Sequence, residues 1–176
     1  MLYFAILYPH LTYGVEHWGA ATKKCLNQLS KLQKYAVRII GSAKSFAPVK
    51  TLFQRYHILD LDIIKHIQIL LFMYEINCGS SPKSIIETFP KASDYWQRRL
   101  RNDNNFTVKR FRLNTRKNSI FVRGPMMWNT LPPNVQNIPT KNKFKNAIKK
   151  LFTNVWNICR CSWLLNPLFP ELFKIC

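Results

Sequence analysis

Apolar side chains recur at three- and four-residue steps twice in the first half of this chain, and that period commits the region to helices. Leu26, Leu29, Leu32, Ala36, Val37, Ile39 and Ile40 share one face, with Lys31, Lys34 and Arg38 on the other. Gly41 is placed to end that helix. Pro48 suits a first helical position and opens a short second helix that buries Leu52, Phe53 and Tyr56. Asp60 or Asp62 starts a third, whose broad face of Ile63, Ile64, Ile67, Leu70, Leu71 and Tyr74 runs up to Asn77. Gly79, Ser80, Ser81 and Pro82 then stop it. Residues 1–97 therefore predict a small helical bundle, and the fold class is mainly α.

The pattern changes over residues 98–139. Phe106 to Leu113 and Ile120 to Arg123 are rich in aromatic and branched residues around a polar connection from Asn114 to Ser119, which predicts a short basic β-hairpin. Phe111 and Leu113 alternate with Arg110 and Arg112, so one face packs inward and the other offers guanidinium groups to phosphate. The plainer alternative is a solvated basic loop. After Gly124-Pro125, Trp128 and Leu131 are spaced to face one side of a helical turn before Pro132, and Trp128 reads as a core anchor. Residues 140–156 predict a Lys-rich terminal helix with Phe144, Ile148, Leu151 and Phe152 inward and Lys141, Lys143, Lys145, Lys149 and Lys150 outward. Residues 157–176 are apolar without a period and predict an irregular tail.

Charge sharpens the functional question. The 176 residues carry 27 Lys and Arg against 8 Asp and Glu, a net +19 that strains a compact state unless an anionic partner neutralises it. The concentration is greatest in residues 98–123, where Arg98, Arg99, Arg101, Lys109, Arg110, Arg112, Arg116, Lys117 and Arg123 face the single acid Asp103. Their bias to Arg suits bidentate contacts with phosphate. These nine, with Lys141, Lys145 and Lys149 of the terminal helix, are the candidate nucleic-acid-binding residues.

Other chemistries lack their residues. The 5 glycines form no phosphate-cradling loop, no local nucleophile signature occurs, and Asp60 and Asp62 have no third acid nearby, so capping a helix is their reading. Cys159 and Cys161 have C-x-C spacing without a second ligand pair, which speaks against zinc, and no metal or other cofactor is expected. His10, His17, His57 and His66 read as ordinary satisfied or exposed histidines. The apolar runs fall short of the ~20 residues of a membrane span. The start at Met1 lacks the charged n-region of a secretory signal. An intracellular protein, nuclear or cytoplasmic, with no membrane association is expected.

One segment concentrates special residues. In Tyr8-Pro9-His10-Leu11-Thr12-Tyr13-Gly14-Val15-Glu16-His17-Trp18-Gly19, the set Tyr8, Pro9, Tyr13, Gly14, Trp18 and Gly19 reads as a tight aromatic corner between helices. This block, then Leu-Gln-Lys-Tyr-Ala-Val-Arg-Ile-Ile-Gly ending at Gly41, then Val-Arg-Gly-Pro-Met-Met-Trp-Asn-Thr-Leu-Pro ending at Pro132, followed by the Lys-rich helix, resembles the post-palm C-terminal segment of non-LTR (LINE-type) retrotransposon reverse transcriptases. The similarity covers about residues 5 to 155, and it is the order and spacing of the blocks that make it specific. It implies that the first helices are a thumb-like region supporting a primer–template duplex, and that the later basic part touches RNA or DNA. The family's catalytic aspartates, an adjacent pair and one more, lie upstream of this segment. No adjacent Asp pair occurs here, so no catalytic residue carries over. The expectation is a non-catalytic piece of an RNA-directed DNA polymerase from a transposable element, with nucleic-acid backbone binding. The apolar start at Met1 agrees with a piece of a longer polypeptide. The alternative is a helical module that docks on another protein.

Overall fold

A computed structural model describes residues 2–95 and 105–158, and apart from an isolated antiparallel bridge between Lys91 and Phe106 every regular element among them is helical. The chain divides into two compact units, Met1–Gln68 and Ile69–Cys176.

The first unit opens with a π-helical segment, Tyr3–Leu7, that runs directly into α1, Tyr8–Thr12. Tyr13 turns to an extended conformation and Gly14 takes φ of 61°, a left-handed backbone that an L side chain resists. This reversal launches α2, Val15–Trp18. The long α3, Lys23–Ile40, and the short α4, Val49–Arg55, follow, and α5, Leu61–Asn77, begins in this unit. Tyr3, Leu11, Val37, Leu52, Ile58 and Leu61 form the core.

Inside that core lies a polar residue, Gln33. Its amide nitrogen donates to Tyr3 Oη at 2.7 Å and to the Leu59 carbonyl at 3.0 Å, while Oε1 accepts from the Leu61 N–H at 3.1 Å. Both its amide N–H groups and its oxygen are bonded at a site almost closed to water, so it fixes how the N-terminal segment, α3 and the start of α5 meet. It also turns α3. The buried line of that helix runs through Gln33 and Val37, leaving Leu32 63% and Ile39 61% exposed. The expected inward face of α3 is thus corrected at those two positions, and Lys34 and Arg38, expected outside, are half-buried. Arg38 spends its Nε–H on the Ala47 carbonyl at 3.2 Å.

Helices α3, α4 and α5 end in one hydrogen-bond pattern. Ala43 N–H reaches back to Arg38 O and Ser42 N–H to Ile39 O; Ile58 pairs with Phe53 and His57 with Gln54; Ser80 pairs with Glu75 and Gly79 with Ile76. Each is a Schellman closure with a left-handed residue at its turn. Glycine fills that position only in α5, where Gly79 has φ of 71°; Ser42 and His57 hold φ of 49° and 51°. Gly41 ends α3 as expected but with an ordinary negative φ.

In the second unit, α5 continues with Ile69, Leu70, Met73, Tyr74 and Ile76 buried. Short helices α6, Lys83–Ile86, and α7, Ala92–Tyr95, precede α8, Asn114–Lys117, α9, Ile120–Asn129, α10, Pro133–Gln136, and α11, Lys141–Ile158. Trp128 is fully buried, edge-on to Phe106 and beside Phe144, which stacks on Tyr74 at 4.5 Å between ring centroids. The Tyr74 hydroxyl donates to the Ile138 carbonyl at 2.9 Å. The predicted β-hairpin is not formed. Ile120 to Arg123 begin α9, with the Ser119 carbonyl accepting from Val122 and Arg123 N–H, and Phe106 bridges back to Lys91 instead. The reason is burial. As a helix, this stretch puts Ile120, Gly124, Met127 and Trp128 into the core together, and packing of that kind overrides a local strand preference.

Candidate nucleic-acid interface

The basic segment is rooted by a side chain that behaves as a piece of strand. Asn129, the last residue of α9, accepts from Phe106 N–H through Oδ1 at 3.0 Å and donates Nδ2–H to the Phe106 carbonyl at 2.8 Å. On the other side, Thr107 N–H donates to Pro90 O and Ala92 N–H to Asn105 O, both at 2.9 Å. With the Phe106 ring buried against Trp128, residues 105–107 are held firmly.

From this root the chain runs over the surface without regular structure to α8. Lys109, Arg110 and Arg112 are exposed along it, and Arg116 and Lys117 are exposed in α8. Arg116 lies over the Phe111 ring at 4.8 Å, a cation–π contact that holds its guanidinium near the segment. The ion pairs among the described residues are Lys65 with Asp62 and Lys141 with Glu75, so none engages these five cations. An exposed cationic cluster of this kind attracts a polyanion.

The remaining candidates fall elsewhere. Arg98, Arg99 and Arg101 lie outside the described residues. Arg123 is only 7% exposed in α9, so it does not share this surface. Lys141 is exposed but paired with Glu75. Lys145 and Lys149 are half-buried on one flank of α11, where burial, and then the Lys145 charge, hold the Lys149 ammonium below the ordinary lysine range. Lys143, on the opposite flank, is exposed and was not among the candidates; the lack of any acid in α11 and its place away from Phe144 and Ile148 are the signal for it.

The corner residues divide in the same way. The Trp18 indole N–H donates to the Tyr13 carbonyl at 2.9 Å, closing the turn that Gly14 makes. Tyr8 and Trp18 are half-buried, Pro9 is exposed, and the Tyr13 ring is 86% exposed, so backbone and indole make the corner and the Tyr13 ring takes no part. Gly19 is buried against the aliphatic stem of Lys65, whose ammonium meets Asp62 at 3.0 Å. Gly124, Pro125, Trp128 and Leu131 are buried, and Pro132 precedes α10. Asn129, the residue that roots the basic segment, was missed by sequence reasoning, which took its neighbours Trp128 and Leu131 for the informative pair.

Asp60 caps the start of α5, its Oδ1 accepting from Leu61 N–H at 2.8 Å. Among the described residues no three His, Cys, Asp or Glu side chains converge on a common point, and no helix is long and apolar enough to cross a membrane. Comparison with protein-family models, with curated proteins and with solved structures finds no match to this chain.

Proposed function

We propose that this chain is a non-catalytic nucleic-acid-binding region, of the kind its resemblance to the post-palm segment of non-LTR reverse transcriptases implies. The observation that supports it best is the exposed set Lys109, Arg110, Arg112, Arg116 and Lys117, which makes no ion pair among the described residues, on a segment rooted at Phe106. Guanidinium groups on an extended chain reach successive phosphates, and phosphate contacts position a nucleic acid without reading its sequence. The partner is then an RNA or DNA backbone, and the piece contributes holding rather than chemistry to an RNA-directed DNA polymerase.

Binding of a labelled duplex across a salt series tests this. Each phosphate neutralised contributes about −0.9 to the slope of log affinity against log salt on B-form DNA. Arg110→Gln with Arg112→Gln is expected to flatten the slope by about 2 and to weaken unrelated sequences alike. A salt-independent affinity, or a loss confined to one sequence, refutes the proposal.

A further inference from the structure

Turning α3 inward on Gln33 leaves a second apolar line on its outside. Leu32, Tyr35 and Ile39 are 63%, 59% and 61% exposed, and the exposed Cys25 and the polar Gln28 continue the same spacing toward the N-terminus of the helix. Positions 25, 28, 32, 35 and 39 alternate steps of three and four, the seam of a coiled coil rather than the broad face of a membrane-lying helix. One residue before each seven-residue repeat stands a cation: Lys24, Lys31 and Arg38. The other flank, Leu29 and Ala36, turns into the unit and is half-buried. No acid occurs anywhere in Lys23–Ile40.

We infer that this face of α3 docks an amphipathic helix of another protein, one that carries an apolar seam flanked by Glu or Asp. The charges choose the occupant. A second copy packed antiparallel would set the three cations of one helix against those of the other, and packed parallel would set them against Leu29 and Ala36, with nothing to neutralise them. An acidic flank pairs with Lys24, Lys31 and Arg38 while the seam covers Leu32, Tyr35 and Ile39. This site is independent of the basic segment in the second unit.

The test is anisotropy of a labelled helical peptide of about three heptads, with Leu at its seam and Glu on both flanks, against the full chain. A twin with Lys for Glu and a scrambled acidic peptide of equal composition serve as controls. Saturable binding of the acidic helix alone is expected, weakened about tenfold or more by Leu32→Glu with Ile39→Glu. Lys24→Glu with Lys31→Glu, two exposed changes that leave the seam intact, is expected to shift preference to the Lys twin. Duplex affinity stays unchanged in the seam variant, which separates this result from the fate of the nucleic-acid reading. Equal binding of the scrambled peptide, indifference to both variants, self-association of the chain lost in the seam variant, or attachment to anionic vesicles lost in it while peptide binding persists overturns the inference.

Discussion

Gln33 joins three parts of the first unit through bonds made out of water, so its removal leaves the Tyr3 hydroxyl and the Leu59 carbonyl short of a partner, while the Leu61 N–H keeps its bond to Asp60. Buried polar groups left unpaired cost about 1–3 kcal/mol each, and Gln33→Ala is expected to lower stability by about 3 kcal/mol in urea unfolding. A loss under about 1 kcal/mol would show that water reaches the site. Asp60 acts in the opposite sense. Burial pushes its carboxyl above the ordinary carboxylate range, outweighing the bond from Leu61 N–H and the Lys34 charge, which pull it down, and aided by Asp62. A group with a raised folded pKa holds its proton more tightly when folded, so its ionisation erodes stability as pH climbs past the ordinary value of 3.8. Asp60→Asn keeps the acceptor for Leu61 and is expected to gain on the parent as pH rises above about 4, read as urea midpoints; parallel pH profiles would contradict this. At Gly124 the limit is space. A Cβ there would sit 2.8 Å from Met73 Sδ, so Gly124→Ala is expected to cost about 1–3 kcal/mol, partly recovered when Met73 is shortened to Val.

At the scale of elements, the helix ends are adjustable. Ser42 and His57 occupy left-handed closures that glycine fills more easily, and Ser42→Gly and His57→Gly are each expected to raise stability by about 0.5–1 kcal/mol, against no gain at Gly79. Measured midpoints below the parent would place a contact of the Ser or His side chain above backbone strain. The period of α3 and α5 and the stop at Gly79 are written locally, in residues close along the chain, and the sequence reading of those helices follows from them. What the period could not convey is which side of α3 faces in, because Leu32 and Ile39 are as apolar as Leu29 and Ile40. The buried amide of Gln33, which decides it, looks polar in sequence. The hairpin expectation failed for a related reason. Ile120 to Val122 favour a strand taken alone, while the side chains that pack on the same helix, Met73 at Gly124 and Phe144 at Trp128, come from distant helices. Of the basic candidates, the exposure of Lys109, Arg110, Arg112, Arg116 and Lys117 agrees with the charge run, whereas Arg123 shows that a cation beside Gly124 and Trp128 is drawn into the core by its neighbours.

For the whole molecule, a charge of +19 makes salt act in two opposite directions. Screening relieves self-repulsion, so the melting temperature of the free chain is expected to rise between about 50 and about 300 mM salt, where the Debye length shortens from beyond to below about 10 Å. Over the same range affinity for a duplex is expected to fall. Differential scanning fluorimetry beside binding isotherms checks both, and a melting temperature that falls with salt would mean that attractive pairs outweigh repulsion.

The Asn129 clamp on Phe106 also has a consequence for how the arginines are delivered. Residues 107–113 form a short leash, pinned at Phe106 and again at α8, and fully extended it spans no more than roughly 25 Å at 3.3–3.6 Å per residue. Cations confined to so small a volume act at a high effective concentration, so once one guanidinium finds a phosphate the others meet the strand without a further search.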